Sequence, residues 1–140
     1  MRQPFALLLS DALACVAREC PAAYREMRET LGQRRVGLCV GDERLLVSLS
    51  DAGGEVSTAD GAAEVRVHAS ERTVHALLCS QADVLECLLD DTLFVQGVAD
   101  ELLAVADAMT FFIKGAVRCA STPNLLERLE RRIHHSEGSP

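Results

Sequence analysis

The chain has 140 residues, and 21 acidic against 14 basic side chains give it a formal net charge of −7. This length is typical of one domain, and 49% hydrophobic with 25% charged residues excludes wholesale disorder. The acidic balance argues against a nucleic-acid partner, because contact with phosphates needs a basic surface. It also disfavours adsorption to anionic membrane surfaces.

The first residues combine a basic side chain with an apolar run, as a signal peptide does. Asp11 interrupts that run, and apolar residues continue at helical spacing beyond Cys15, so the favoured interpretation is an amphipathic first helix. The longest later apolar stretch, Leu102 to Ile113, contains Asp107 and is too short to span a bilayer. We therefore expect no integral membrane segment.

Six cysteines are spread along the chain without a Cys-x-x-Cys pair, which a zinc ribbon needs. Each cysteine lies in an apolar run, where a thiol behaves as a small buried hydrophobe. We therefore expect a reduced, cytoplasmic protein that holds no metal and no cofactor. The cysteines are Cys15, Cys20, Cys39, Cys79, Cys87 and Cys119.

Apolar residues at helical spacing predict N-terminal helices within residues 5–31, with Gly32 as the stop. Within residues 34–69 the period changes to two, which predicts four short strands. Tight turns, the third of them at Asp60-Gly61, indicate that these strands form an antiparallel meander with one covered face.

The second half of the chain returns to helical spacing, and Ser70 is a suitable N-cap for its first helix. Helices are predicted within residues 70–89, 99–118 and 123–133, with a fifth strand at 92–97. Residues 1–133 are expected to form one domain, and residues 134–140 a flexible tail.

A polar stripe on the helix after Ser70 is a candidate site, because Glu71, His75 and Cys79 are spaced i, i+4, i+8. One interpretation is a metal site or a Cys–His nucleophile. The favoured alternative is a solvated Glu and His beside a half-buried Cys, since no third strong ligand is near in sequence.

Acidic residues cluster at Asp83, Glu86, Asp90 and Asp91, without the glycine turn and ligand spacing of a calcium loop. The cluster therefore predicts a solvated helix face. The remaining histidines, expected near the surface, are His68, His134 and His135. No phosphate-binding loop or nucleophile elbow occurs, so we expect a protein that is not an enzyme.

The long helix within residues 99–118 is apolar over most of its circumference, so it must be covered on several sides. One interpretation is a central core helix. The other is that one face lines a cavity for an apolar ligand, with Met109 and Phe112 as adaptable wall residues.

Residues 34–115 resemble the sterol carrier protein type-2 domain. The segments that carry the likeness are Glu64–Arg72, Val74, Leu77-Leu78, Leu93–Gly97 and Leu102-Leu103. That family usually has a glycine at the end of its first short helix, where this chain has Cys79-Ser80-Gln81.

The resemblance implies an α+β fold, in which a five-stranded mixed, mostly antiparallel sheet carries helices over one face and encloses a hydrophobic tunnel. It implies non-catalytic binding or transfer of a sterol, fatty acyl or isoprenoid-type lipid. The matching tunnel positions are Val74, Leu77, Leu78, Leu85, Leu88, Leu102, Val105, Met109, Phe112 and Ile113.

A second hypothesis uses the same apolar helix faces differently. They are covered by a second copy or by a partner enzyme, so that the chain is an interaction or accessory module. The resemblance includes accessory domains of isoprenoid-quinone biosynthesis.

Overall fold

The computed structural model describes residues 4–51, 53–58 and 63–137. The elements in chain order are α1 (Phe5–Glu19), α2 (Pro21–Leu31), β1 (Val36–Val40), β2 (Glu43–Ser50), β3 (Gly53–Ser57), β4 (Val65–Ala69), α3 (Glu71–Leu78), α4 (Val84–Leu89), β5 (Leu93–Gln96), α5 (Ala99–Ala116) and α6 (Thr122–Glu137). The turn expected at Asp60-Gly61 lies outside the described residues.

The five strands form one mixed sheet in the order β3-β2-β1-β4-β5. Strands β1 to β3 are the antiparallel meander that the sequence predicts, but the fourth strand departs from it. β4 pairs parallel with β1, with Val36 opposite Val65, and the expectation of a four-stranded meander is wrong there. Two neighbouring parallel strands must be joined by a crossover connection. This connection places β1 and β4, with their valines, side by side in the interior of the sheet.

The two faces of the sheet differ as the period of two requires. The covered face carries Val40, Leu45 and Val67, each at most 3% exposed. On the opposite face of the sheet, the His68 ring lies 5.8 Å from that of Phe94. His68 is half-buried, which confirms it as a boundary residue. The helices pack over one face, as expected.

Local signals set several helix ends. Ser70 caps α3 by accepting the Thr73 N–H at 3.1 Å, and Gly32 ends α2 with φ +64°. Ser80, in the segment where the resembling family usually has glycine, also has a positive φ of 60°. α6 continues to Glu137, so residues 134–137, expected in a flexible tail, are helical.

The long helix ends earlier than the sequence indicates. It was expected to reach residue 118, but α5 ends at Ala116, and the carbonyl of that residue accepts the Thr122 hydroxyl. Among the residues described, no helix combines the length and hydrophobicity that crossing a bilayer requires.

A buried arginine joins α6 to the rest of the molecule. The Arg132 side chain is 1% exposed and donates to the carboxylates of Glu43, at the start of β2, and Glu71, at the start of α3. Glu43 also accepts the Phe5 N–H at 2.9 Å, so the same carboxylate satisfies the first turn of α1. Three helices and one strand are thereby connected through one guanidinium.

The junction between α5 and α6 depends on Glu19, the last residue of α1. Its carboxylate accepts the Ser121 hydroxyl and the Ala120 N–H, both at 2.7 Å, and the Ser121 N–H at 3.3 Å. These bonds, the Ser121 hydroxyl foremost, lower the pKa of Glu19 below its ordinary value.

Replacement of Arg132 tests this connection. Arg132→Ala removes the cation that Glu43 and Glu71 share, and we expect it to lower the free energy of unfolding by about 3–5 kcal/mol. Chemical denaturation measures it. Arg131→Ala is the matched control, since that exposed neighbour only pairs with Glu127 on its own helix and should change stability by less than about 0.5 kcal/mol. Equal effects of the two variants would contradict the role of Arg132.

The lowered pKa of Glu19 predicts a pH dependence of stability. Its contribution is complete above the ordinary pKa of about 4.5 and is lost as the pH falls through the lower folded-state pKa. Glu19→Gln should therefore be less stable than the native chain at pH 7, and the difference should shrink below about pH 4.5. Thermal unfolding from pH 3 to pH 7 measures it. Ser121→Ala should reproduce part of the loss, and a difference independent of pH would contradict the assignment.

Candidate functional site

An apolar cavity of about 160 Å³ lies between the covered face of the sheet and the helices. Its twenty lining residues come from α1, α2, α3 and α5 and from strands β1, β2, β4 and β5. All of them are Ala, Val, Leu, Ile, Met or Phe. The described residues of the cavity wall therefore offer no side-chain hydrogen-bonding group to an occupant.

Seven of the ten positions that the family resemblance implies lie on the cavity wall. They are Val74, Leu77, Leu78, Val105, Met109, Phe112 and Ile113. α3 and α5 present them because each helix directs one stripe of apolar side chains toward the sheet.

The other three positions do not line the cavity. Leu85 is 66% exposed, because α4 is a short helix that buries Val84 and Cys87 instead. Leu88 and Leu102 are partly buried and pack against the hydrophobic core. These three side chains do not border the cavity, and their assignment to a lipid-binding wall stays a prediction.

The N-terminal helices supply wall residues that the sequence comparison with the family missed. Phe5, Leu9 and Leu13 of α1 line the cavity, as do Met27 and Leu31 of α2. These helices precede the region of resemblance, which begins at residue 34. Their spacing of i, i+4 and i+8 is a signal that could have found them.

Phe112 shows that α5 is both a core helix and a cavity wall. One side of its ring packs against the buried cluster of Ala12, Cys15 and Leu125, and the ring also borders the cavity. Val105 and Ala108 of the same helix are at most 5% exposed and line the cavity as well. The two interpretations of this helix are compatible.

The polar stripe on α3 faces α6. Glu71 binds Arg132, and His75 Nε2 lies 3.0 Å from the Glu130 Oε1 atom. Cys79 Sγ lies 3.6 Å from His75 Nδ1, but burial raises the pKa of the Cys79 thiol, which disfavours the thiolate that a nucleophile needs. The stripe is a helix–helix contact.

The acidic residues around α4 accept hydrogen bonds at its two ends. Asp83 accepts the Glu86 N–H at 2.8 Å at its start, and at its end Asp90 accepts the Thr92 N–H at 3.0 Å and the Thr92 hydroxyl at 2.7 Å. The Thr92 bonds lower the pKa of Asp90, whereas the hydrogen bond and charge of Asp83 raise that of Glu86. Within the described ranges, no group of three His, Cys, Asp or Glu side chains could hold a metal ion.

The six cysteines are free thiols, as expected. Cys119 Sγ lies 3.7 Å from Cys20 Sγ, and burial raises the pKa of Cys119 to about 12. A thiol with so high a pKa is a poor nucleophile at neutral pH.

Comparison with known proteins identifies the fold of this chain. No family model and no curated protein matches the chain. A solved structure of a UbiJ-SCP2 ubiquinone synthesis protein matches with a TM-score of 0.61 at 18% identity, over 78% of this chain and 99% of that one. A sterol carrier protein 2 crystal structure matches with 0.59 at 19% identity, over 81% and 99%. The apo form of sterol carrier protein 2 from Yarrowia lipolytica matches with 0.54 at 16% identity, over 81% and 90%. This chain therefore has the sterol carrier protein 2 fold.

The cavity beside Phe112 predicts an unusual response to truncation. Replacement of a fully packed Phe by Ala lowers the free energy of unfolding by about 3–5 kcal/mol. Phe112, however, already borders empty space. We expect Phe112→Ala to lower the free energy of unfolding by less than about 3 kcal/mol, and by less than Leu129→Ala does. The Leu129 side chain is fully buried and does not line the cavity. Urea denaturation compares the two. A greater loss for Phe112→Ala would show that its ring is ordinary core.

Proposed function

We propose that this protein binds one apolar lipid of sterol, fatty acyl or isoprenoid type, with hydrocarbon of the lipid held in the cavity, and carries it without chemical change, in the cytoplasm. The observation that carries the proposal is the cavity wall, in which all twenty residues are apolar. The fold supports it, because two of the matching structures are of proteins named sterol carriers.

The cavity is suited to hydrocarbon and not to water. A water molecule needs two to four polar partners, and the apolar wall described here supplies none. An occupant gains about 25 cal/mol for each Å² of apolar surface removed from water, before the entropic costs of binding. Met27 and Met109 have flexible side chains that can adapt to the shape of a ligand.

The polar candidates support binding without catalysis. Glu71 and His75 are engaged in contacts with α6, Asp83 caps α4, and Asp90 binds Thr92. None of these residues lines the cavity. A bound hydrocarbon would therefore meet no nucleophile, general base or metal ligand in the cavity.

A second candidate function is an accessory or interaction module, in which a second copy or a partner enzyme covers exposed apolar side chains. The observation that favours it is α4, where Leu85 and Leu89 are 66% and 77% exposed at i, i+4 spacing. The likeness to the ubiquinone synthesis protein fits a role beside an enzyme of isoprenoid-quinone biosynthesis. Sedimentation velocity of the purified chain, and of its Leu89→Ser variant, tests the homodimer.

Titration with a fluorescent sterol, a fluorescent fatty acid and a fluorescent polyprenol tests lipid binding. We expect at least one to saturate at one site per chain. Ala108→Leu should weaken that binding at least tenfold, because the added methyl groups occupy the cavity, while stability stays within about 1 kcal/mol of the native chain.

Ala104→Leu is the matched control for that variant, since it lies on the same helix and does not line the cavity. It should leave the affinity unchanged. Absence of binding across all three lipid classes would refute the carrier proposal, and equal weakening by both variants would remove the cavity as its site.

A further inference from the structure

A second, more open space adjoins the cavity. It is a groove of about 480 Å³ bordered by the loop after α3, by α4 and by the C-terminal half of α5. Leu77 and Ile113 line both the groove and the cavity. The two spaces therefore share a boundary at these two apolar side chains.

The cavity is too small to hold a whole lipid. An engineered apolar cavity of about 150 Å³ accepts benzene, and the cavity here is about 160 Å³. It accommodates a group of about six carbons, on the scale of that benzene cavity. A ligand of lipid length must therefore extend beyond it, and the groove behind Leu77 and Ile113 adjoins it directly.

The groove differs from the cavity in chemistry. Its wall includes Lys114, the only lysine of the chain, together with Ser80 and Gln81 of the loop. The Thr110 hydroxyl donates to the Ala106 carbonyl at 3.0 Å, so its oxygen remains an acceptor toward the groove. Hydrogen-bond donors and acceptors thus begin where the apolar wall ends.

The charge of the groove disfavours an anion. Asp83 and Glu86 supply two carboxylates against the single ammonium of Lys114. The hydrogen bond and negative charge of Asp83 also raise the pKa of Glu86, which reports their mutual proximity. A carboxylate or phosphate head would add to this negative charge, whereas an uncharged hydroxyl can donate to a carboxylate and accept from Lys114.

We propose that the groove is the mouth of the cavity and holds the uncharged, hydroxylated head of the lipid with the adjoining part of its chain, while the far end of the chain passes between Leu77 and Ile113 into the cavity. This inference rests on the proposed function. It names the class of ligand, a long-chain alcohol, and the direction in which that ligand lies.

The absence of tryptophan from the sequence allows a direct test of direction. Gln81→Trp places a single fluorophore in the groove, and Glu55→Trp places one on β3, which contributes no residue to the cavity wall. The probes are two hexadecanols, one brominated beside the hydroxyl and one brominated at the far end of the chain. Bromine quenches tryptophan only at short range.

We expect the head-brominated alcohol to quench Trp emission of the Gln81→Trp variant at least twofold more than the chain-end-brominated alcohol does. Neither should quench the Glu55→Trp variant. If Gln81→Trp does not fold, Leu85→Trp places the reporter on the same groove. Saturable binding with stronger quenching by the chain-end bromine, or with no quenching, would overturn the proposed mouth.

Displacement of a bound fluorescent alcohol by hexadecanol and by hexadecanoate at pH 8 tests whether the groove prefers an uncharged head group to a carboxylate. We expect hexadecanoate to bind about two- to fivefold more weakly, and Glu86→Gln to reduce that ratio. Glu127→Gln, on α6 and outside the groove, should leave it unchanged. Equal or tighter binding of hexadecanoate would overturn the assignment of an uncharged head.

Failure of this inference is distinguishable from failure of the proposed function. If neither hexadecanol nor any fluorescent lipid binds, the carrier function itself is refuted. If hexadecanol binds and Ala108→Leu weakens it, but the quenching pattern is reversed or absent, the cavity remains the site and only the groove is rejected as its mouth.

Discussion

The buried ion pairs of Arg132 constrain the whole arrangement of helices around the sheet. A guanidinium that is 1% exposed is stable only when its carboxylate partners are in place, since an unpaired charge is costly to bury. Glu43 and Glu71 therefore position α6 against β2 and α3, and Glu43 also holds the first N–H of α1. Phe5 lies 5.5 Å below the guanidinium carbon and lines the cavity, so the charged cluster closes one end of the apolar space.

α5 joins tightly packed and loosely packed parts of the interior. On the side toward α1 and α2, Gly115 allows close approach, because a Cβ there would lie 2.8 Å from that of Ala23. On the side toward the sheet, Met109 and Ile113 border the cavity, where dispersion contacts are missing. Close packing on the first side fixes the position of α5, so the space on its second side is not filled. An interior that was uniformly close-packed would leave no space for a ligand.

The molecule separates its charged groups from its apolar space. The carboxylates and histidines that could suggest chemistry instead connect helices, as His75 does with Glu130, or cap them, as Asp83 does for α4. The apolar cavity and the polar groove meet at Leu77 and Ile113. This boundary has the same order, apolar and then polar, as the two parts of the amphipathic lipid that we propose.

The local sequence was sufficient to predict the helices and strands, because periodicity and capping depend on residues that are near neighbours in the chain. It placed Ser70 and Gly32 at helix ends and seven of ten cavity residues on the right stripes. It did not show that Leu85 lies outside the cavity wall, since a short helix has too few turns for periodicity to show which side is covered. Arg132 followed Leu125 and Leu129 at i+7 and i+3, yet its partner Glu43 is 89 residues away. The tertiary structure alone decided the burial of Arg132 and the pairing of β4 with β1, because both depend on groups that the chain brings together only on folding.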